Sequence, residues 1–163
     1  MIDTLRAQGN VRIDVIDMKT GRVKRSQVAH NIITRAGLDE LGRRMCLEGP
    51  VGSDKFAVGT GTTAATIDDA ALANQVLIDT MGTEKPATAS TIFQYLLGGS
   101  AVDGLSLTEA GIFDADGVLL SRVVHNAEVK GVDEAINYTW TWGFANASVW
   151  DDSIEAALNE IVG

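Results

Sequence analysis

Apolar and polar residues alternate through Val11-Arg12-Ile13-Asp14-Val15, the period of two that a strand shows when one face is buried. Lys19-Thr20-Gly21-Arg22 predicts a turn, and Val23 to His30 returns as the second arm of a hairpin. The period then lengthens. Thr34 stands where a helix cap belongs, Leu38, Leu41 and Met45 recur at helical spacing, Arg43 and Arg44 suit the negative end of a helix, and Gly49-Pro50 ends it. Beyond this point the pattern is mostly β. Strands are predicted over Lys55–Val58, Gln75–Met81 and Thr91–Leu97, with breaks at Gly98-Gly99 and Asp103-Gly104. Leu105–Phe113 and Val118–Val124 flank Asp114-Ala115-Asp116-Gly117, a hairpin signal because Asp and Gly tolerate the backbone of tight turns. Ala135–Phe144 is the clearest strand. Asp152-x-x-Glu155 reads as a capping box that opens a C-terminal helix over 151–163, with Ile154, Leu158, Ile161 and Val162 on one stripe.

Strands joined by short hairpins do not supply the crossovers that a parallel sheet needs. The expected fold is therefore mainly β: an antiparallel β-sandwich or barrel with one internal helix and a short C-terminal helix. The 163 residues suit a single domain, 1–163, and the terminal stripe can pack on its own domain or dock on a neighbour, which makes its four apolar residues candidate interface residues.

Gly59-Thr60-Gly61-Thr62-Thr63-Ala64 fits a dinucleotide-binding fingerprint, with Asp79 placed where a ribose-binding acid could stand. That fingerprint requires a helix starting inside the glycine loop, with its positive end on the pyrophosphate. Here only a short helix around Asp68 to Asn74 has room, its first turn carries Asp68 and Asp69, and no lysine follows the glycines. The preferred reading is that Gly59 and Gly61 let the chain leave a strand and turn sharply.

Charge narrows the partners. There are 13 Lys+Arg against 22 Asp+Glu, a net charge of −9, so the surface as a whole repels nucleic acid and anionic membranes. The basic run Lys19 to Arg25 is read as a solvated hairpin tip. The single cysteine, Cys46, is expected to be a buried free thiol in a reducing compartment, and the N-terminal MIDTLRAQGN lacks the pattern of a secretion signal, so synthesis in the cytoplasm is expected.

Candidate chemistry is thin. His30 and His125 are each followed by Asn and end strands; with one cysteine they provide no zinc-type spacing, and no nucleophile motif accompanies them. Asp114-x-Asp116-Gly117 copies part of a calcium loop, but Val123 stands where the closing glutamate belongs. Glu109, in a largely apolar strand, is expected to accept hydrogen bonds from backbone N–H groups of a neighbouring turn; a general acid, or a glycosidase-like pair with Asp114, is the competing reading. Tyr138, Trp140, Trp142 and Phe144 share one face of a strand and are expected in the core; exposed, they would suit a glycan. No catalytic, cofactor-binding or metal-ligating residue is assigned.

Four stretches in order, AHNIITRAGLDELGRRM, FAVGTGTTAATIDDAAL, LTEAGIFDADGVLLSRVV and VKGVDEAINYTWTWGF, resemble a family of tailed-bacteriophage structural proteins found in tail fibres, baseplates and related virion parts; the likeness spans about residues 29 to 144. The resemblance implies a β-rich, non-enzymatic virion protein that acts by assembly with itself, often as trimers, and with other phage tail or head proteins, and that needs no cofactor. It makes Gly59, Gly61 and Asp69 a structural turn, Glu109 and Gly111 the heart of an EAG strand turn, and Trp140 and Trp142 core residues. A receptor-binding fibre continues into a long shaft, whereas this sequence stops at Gly163, so the expectation is an adaptor or fibre-attachment subunit. Capsid decoration, or a glycan-binding or glycan-hydrolysing tail protein, are the alternatives.

Overall fold

A computed structural model describes residues 5–46 and 53–146. The predicted C-terminal helix over 151–163, with Ile154, Leu158, Ile161 and Val162, lies outside the described residues, as does the Gly49-Pro50 stop. The chain is mainly β: β1 (Leu5–Asp17), β2 (Val23–Ile33), α1 (Arg35–Met45), β3 (Ser53–Gly59), β4 (Gln75–Thr80), β5 (Thr83–Ala87), β6 (Ser90–Leu97), β7 (Ser106–Asp114), β8 (Leu119–Val129) and β9 (Glu134–Asn146). All neighbouring strands are antiparallel, and they form one nine-stranded sheet in the order β4-β3-β7-β8-β2-β1-β9-β6-β5, curled into a half-barrel.

The curl follows from connectivity. β4 and β5 stand at opposite ends of the strand order, yet only Met81 and Gly82 separate them in the chain. Three Cα–Cα steps span at most about 11 Å. The two ends of the sheet must therefore face one another. Phe56 of β3 lies across this gap, stacked on Tyr95 of β6 at 4.4 Å, and meets Tyr138 and Trp140 of β9 at 5.0 and 6.2 Å. Tyr95 then donates its hydroxyl to Asp79 of β4 at 2.8 Å. Around these rings the inward positions Val11, Ile13, Val15, Leu107, Ala110, Ile112, Val123 and Ile136 are buried in one core, to which the period of two in each strand directs them, with a register shift between Leu107 and Glu109 bringing both Leu107 and Ala110 inward.

β2 makes the corner. It pairs with β1 along most of its length but reaches β8 only at Ile32↔Arg122 and Ile33↔Ser121. Buried hydrogen bonds from Asn31 Nδ2 to Ser121 Oγ, 2.6 Å, and from Ser121 Oγ to the Ile32 carbonyl, 2.9 Å, hold that short seam.

Thr34 caps α1, its hydroxyl oxygen accepting from the Gly37 N–H at 3.1 Å. The stripe that faces the protein differs from the predicted one. Gly37, Glu40 and Leu41 turn inward while Leu38 is exposed, because a Cβ on Gly37 would stand 2.1 Å from the Leu120 carbonyl oxygen: the helix backbone is pressed onto β8 at that residue. Cys46 also departs from expectation, being exposed just past the helix end. β5 was not anticipated, since Thr83-Glu84-Lys85-Pro86-Ala87 lacks apolar alternation and has only Thr83 as a β-branched residue; its place at a sheet edge tolerates both proline and charge.

Because Phe56 touches three aromatic rings across the curl, Phe56→Ala is expected to cost about 3–5 kcal/mol. The check is a lowered urea midpoint in equilibrium unfolding with little change in the m-value.

Candidate functional site

Of the residues that sequence reasoning singled out, Gly59, Gly61, Asp69 and Glu109 come together on the outer face of β3-β7-β8, beneath the long loop between β3 and β4. No helix forms around Asp68 to Asn74; residues 60–74 run as turns and bends. What holds them is Glu109, fully buried on β7. Its carboxylate accepts from the backbone N–H groups of Gly61 at 3.0 Å, Ala73 at 2.9 Å and Asn74 at 2.6 Å. Arg122, from the neighbouring β8, donates to the same carboxylate through Nε at 3.1 Å and Nη2 at 2.8 Å. The guanidinium reaches on to Asp69 at 2.6 Å and the Thr63 carbonyl at 2.9 Å. Asp69 in turn accepts from the Thr66 N–H at 2.9 Å and hydroxyl at 2.7 Å. One carboxylate and one guanidinium thus fasten both ends of the loop.

The glycines make this approach possible. A Cβ on either Gly59 or Gly61 would stand 2.5 Å from a Glu109 carboxylate oxygen. The glycine pair does cradle an anion, and that anion is the protein's own Glu109. Two residues along the same face of β7, Gly111 leaves room for Leu72, whose Cδ2 would be 2.9 Å from an added Cβ. Leu72 packs there with Ala57, Phe113 and Leu119 in a second small core under the loop. The EAG triplet therefore does three things in succession: Glu109 binds the loop backbone, Ala110 enters the main core, and Gly111 admits the loop's leucine.

Burial alone would raise the Glu109 pKa, but hydrogen bonds from Asn74, Ala73, Arg122 and Gly61 outweigh it and hold the group below its ordinary value. Burial opposes the charge on Arg122 in the same way, and Asp69 and Glu109 overcome it. An ionised, saturated carboxylate has no proton to give, so this arrangement suits a clamp and not a general acid. Asp114 cannot complete a glycosidase pair with Glu109. They stand five strand positions apart, about 16 Å, whereas such pairs lie roughly 5 to 9.5 Å apart. Asp114 instead accepts from the Val118 N–H at 2.8 Å and closes the β7–β8 turn.

Trp140 and Trp142 are buried in the core, with Trp142 edge-on to Phe93 at 5.0 Å, so neither offers a face to a sugar. His30 is exposed. His125 is buried against Tyr138, ring centres 5.9 Å apart, and desolvation lowers its pKa. Among the described residues no group of three or more His, Cys, Asp or Glu side chains is placed to hold a metal ion.

The basic run forms another ionic cluster. Lys19 pairs with Asp133 at 2.6 Å, Lys24 with Glu134, and Arg25 with Glu128 at 2.7 Å, while the Met18 N–H donates to the Asp133 carbonyl at 2.9 Å. The β1–β2 tip is thereby fixed beside the β8–β9 turn, and Lys24 with the Gly131 N–H lowers the Glu134 pKa to about 2. Met18, Val23, Val129 and Val132 stay exposed around it.

Sequence reasoning missed Arg122 and Lys130. Arg122 was detectable as a charge inside the strand-like apolar run Leu119-Leu120-Ser121-Arg122-Val123-Val124, where a buried charge demands a partner, whereas Lys130, between Val129 and Gly131, carries no such signal. Lys130, fully buried, binds Asp103 and the Gly99 carbonyl, 2.6 Å, and so secures the loop before β7.

No family model, no curated protein and no solved structure matches this chain.

Glu109→Gln removes one of the two carboxylates that compensate Arg122 and weakens the acceptor of three loop amides, and a stability loss of about 1–3 kcal/mol is expected, read as a drop in thermal midpoint together with new protease sensitivity within residues 62–72. Acid should weaken the wild type through two groups of the same sign. His125 has a depressed folded pKa, so the unfolded chain binds more protons and stability falls as pH drops below about 6.5. Glu109, also depressed, contributes stability that is present above the unfolded value, near 4.5, and is lost as pH falls through the folded value. Replacing His125 with Phe should flatten the upper part of that acid limb and leave the lower part, as measured by denaturant midpoints across pH.

Proposed function

We propose that this chain is a structural subunit of a tailed-bacteriophage virion, a tail-associated adaptor or fibre-attachment piece that works by burying surface against copies of itself and against other virion proteins, with no bond-making step. The observation that carries the reading is the fate of the polar residues most able to do chemistry. Glu109 and Arg122 saturate each other and a loop backbone, and Asp114 closes a turn. The aromatic stripe lies inside the core, while β-branched residues stand exposed along β4 and around the β1–β2 tip. The order of the four phage-like sequence stretches supports the same reading. In it the curled sheet behaves as a two-layered sandwich, β5-β6-β9-β1-β2 against β4-β3-β7-β8, with Phe56 between the layers. Rigid loops suit such a part, because every ordered backbone segment lowers the entropy lost on docking.

Electron microscopy of intact particles carrying a tagged copy of the subunit, with proteomics of the purified particles, tests the proposal. Label on the tail is expected. Label on the head would replace the adaptor with a decoration protein, and absence from particles would overturn the virion assignment.

A further inference from the structure

We infer that residues 147–163 dock on the outer face of β6-β9-β1 of the same chain, so that the apolar stripe Ile154, Leu158, Ile161 and Val162 is engaged within the subunit. Ile13, Phe93, Tyr138 and Trp140 of these strands point into the main core. Their alternates Asn10, Thr141 and Ile92 stand side by side in one cross-strand row and point the other way. Among the described elements none serves as their cover. α1 lies on the inner side, where Glu40 and Leu41 line a cavity with Phe93 and Trp142, and the 60–74 loop is fastened over β7 and β8. Yet the outer row is dry: Asn10 and Thr141 are each 1% exposed and Ile92 7%, with Ser90 beside them at 5%.

The dry band has the outline of one helix. On its β2 side the cross-strand neighbours His30 and Val28 are exposed, and on its β5 side so is Lys85, opposite Ile92. Three strands therefore bound it, about 10 Å from first to last, which is the diameter of a helix with its side chains. Burial also fades along the strands. One row beyond Thr141, Arg12 and Gln94 are half-buried around Thr139, and a further row on, Leu96 opposite Asn137 is 53% exposed. The cover is thus deepest toward the end of β9 from which residue 147 departs. It is also apolar where it touches, because the Thr141 and Ser90 hydroxyls are buried and no described group bonds them.

Three stretches lie outside the described residues, and only one suits this face. Residues 1–4 reach at most about 14 Å from Leu5 and are too few to cover three strands. Residues 47–52 are tied to the end of α1 and to β3, in the other half of the sheet. Residues 147–163 continue from Asn146, which pairs with Leu5 at the head of the dry band, and bring four apolar side chains at helical spacing. A helix over 151–163 would be about 20 Å long, the length of about six strand residues, which carries it from Gly143 to Asn137, the row where exposure returns. A second copy is not required, since the band is dry within a single chain. The four stripe residues then leave the subunit's outer surface, and contacts with other proteins fall elsewhere. The inference does not depend on the virion reading.

Thiol labelling of the full chain is the test. Cys46→Ser removes the one native thiol, and Ser90→Cys places a probe of nearly the same size on the dry band. The probe is expected to react with a water-soluble disulfide reagent about a hundredfold slower than the exposed Cys46 of the natural sequence, at every protein concentration. Adding Leu158→Asp and Ile161→Asp should raise its rate about tenfold or more while amides of β1 and β9 keep their slow exchange, and Val132→Asp, at an exposed apolar site elsewhere, should leave the rate unchanged. If Ser90→Cys does not fold, Thr141→Cys carries the probe; if the aspartates unfold the core, serine at residues 158 and 161 takes their place. A probe as reactive as Cys46, protection that the folded stripe variant leaves intact, or protection that grows with protein concentration, the mark of cover by a second copy, would overturn the inference.

Discussion

The buried ion pair between Glu109 and Arg122 is the constraint around which the rest of one face is arranged. A carboxylate withdrawn from water is tolerable only with compensating donors, and here three backbone N–H groups and a guanidinium supply them. Each of those donors imposes something on the chain. The amides come from both ends of the 60–74 loop, so the loop must fold back over β7. Side chains at residues 59 and 61 would collide with the carboxylate, so both are glycine. Arg122 sits directly across from Gly111 in the β7–β8 register, which brings the guanidinium diagonally to Glu109 and leaves the space above Gly111 for Leu72. A loop of this length would ordinarily be mobile; this one is fastened at Gly61, Thr63, Asp69, Ala73 and Asn74.

The opposite face of the same strands answers to a different demand. The two-residue link between β4 and β5 forces the sheet's ends together, and aromatic rings from β3, β6 and β9 fill the space that results. Both edges then flank one region of the surface, where one is guarded by charge and proline and the other is not.

Strands were legible wherever alternation or a turn signal marked them. Val11–Val15, the Asp114–Gly117 hairpin and the aromatic strand through Trp140 all fall where the pattern places them, because one-sided burial writes itself into a period of two. β5 was invisible for the opposite reason: an edge strand with both faces open has no pattern to write. Leu38 misled because helical spacing identifies a stripe without saying how closely the helix approaches, and Gly37 draws it in until Leu38 turns outward. For the clamp, Glu109 and the glycines were each readable as unusual, but their partnership was not. Forty-eight residues separate Gly61 from Glu109, and only the fold brings them to 3.0 Å.

Hydrogen exchange of the Gly61, Ala73 and Asn74 amides, resolved residue by residue, probes the Glu109 clamp most directly. These three N–H groups should exchange only with global unfolding, as slowly as amides in the centre of β7, despite belonging to a surface loop. Exchange at the rate of an open loop, with β7 still protected, would contradict the account.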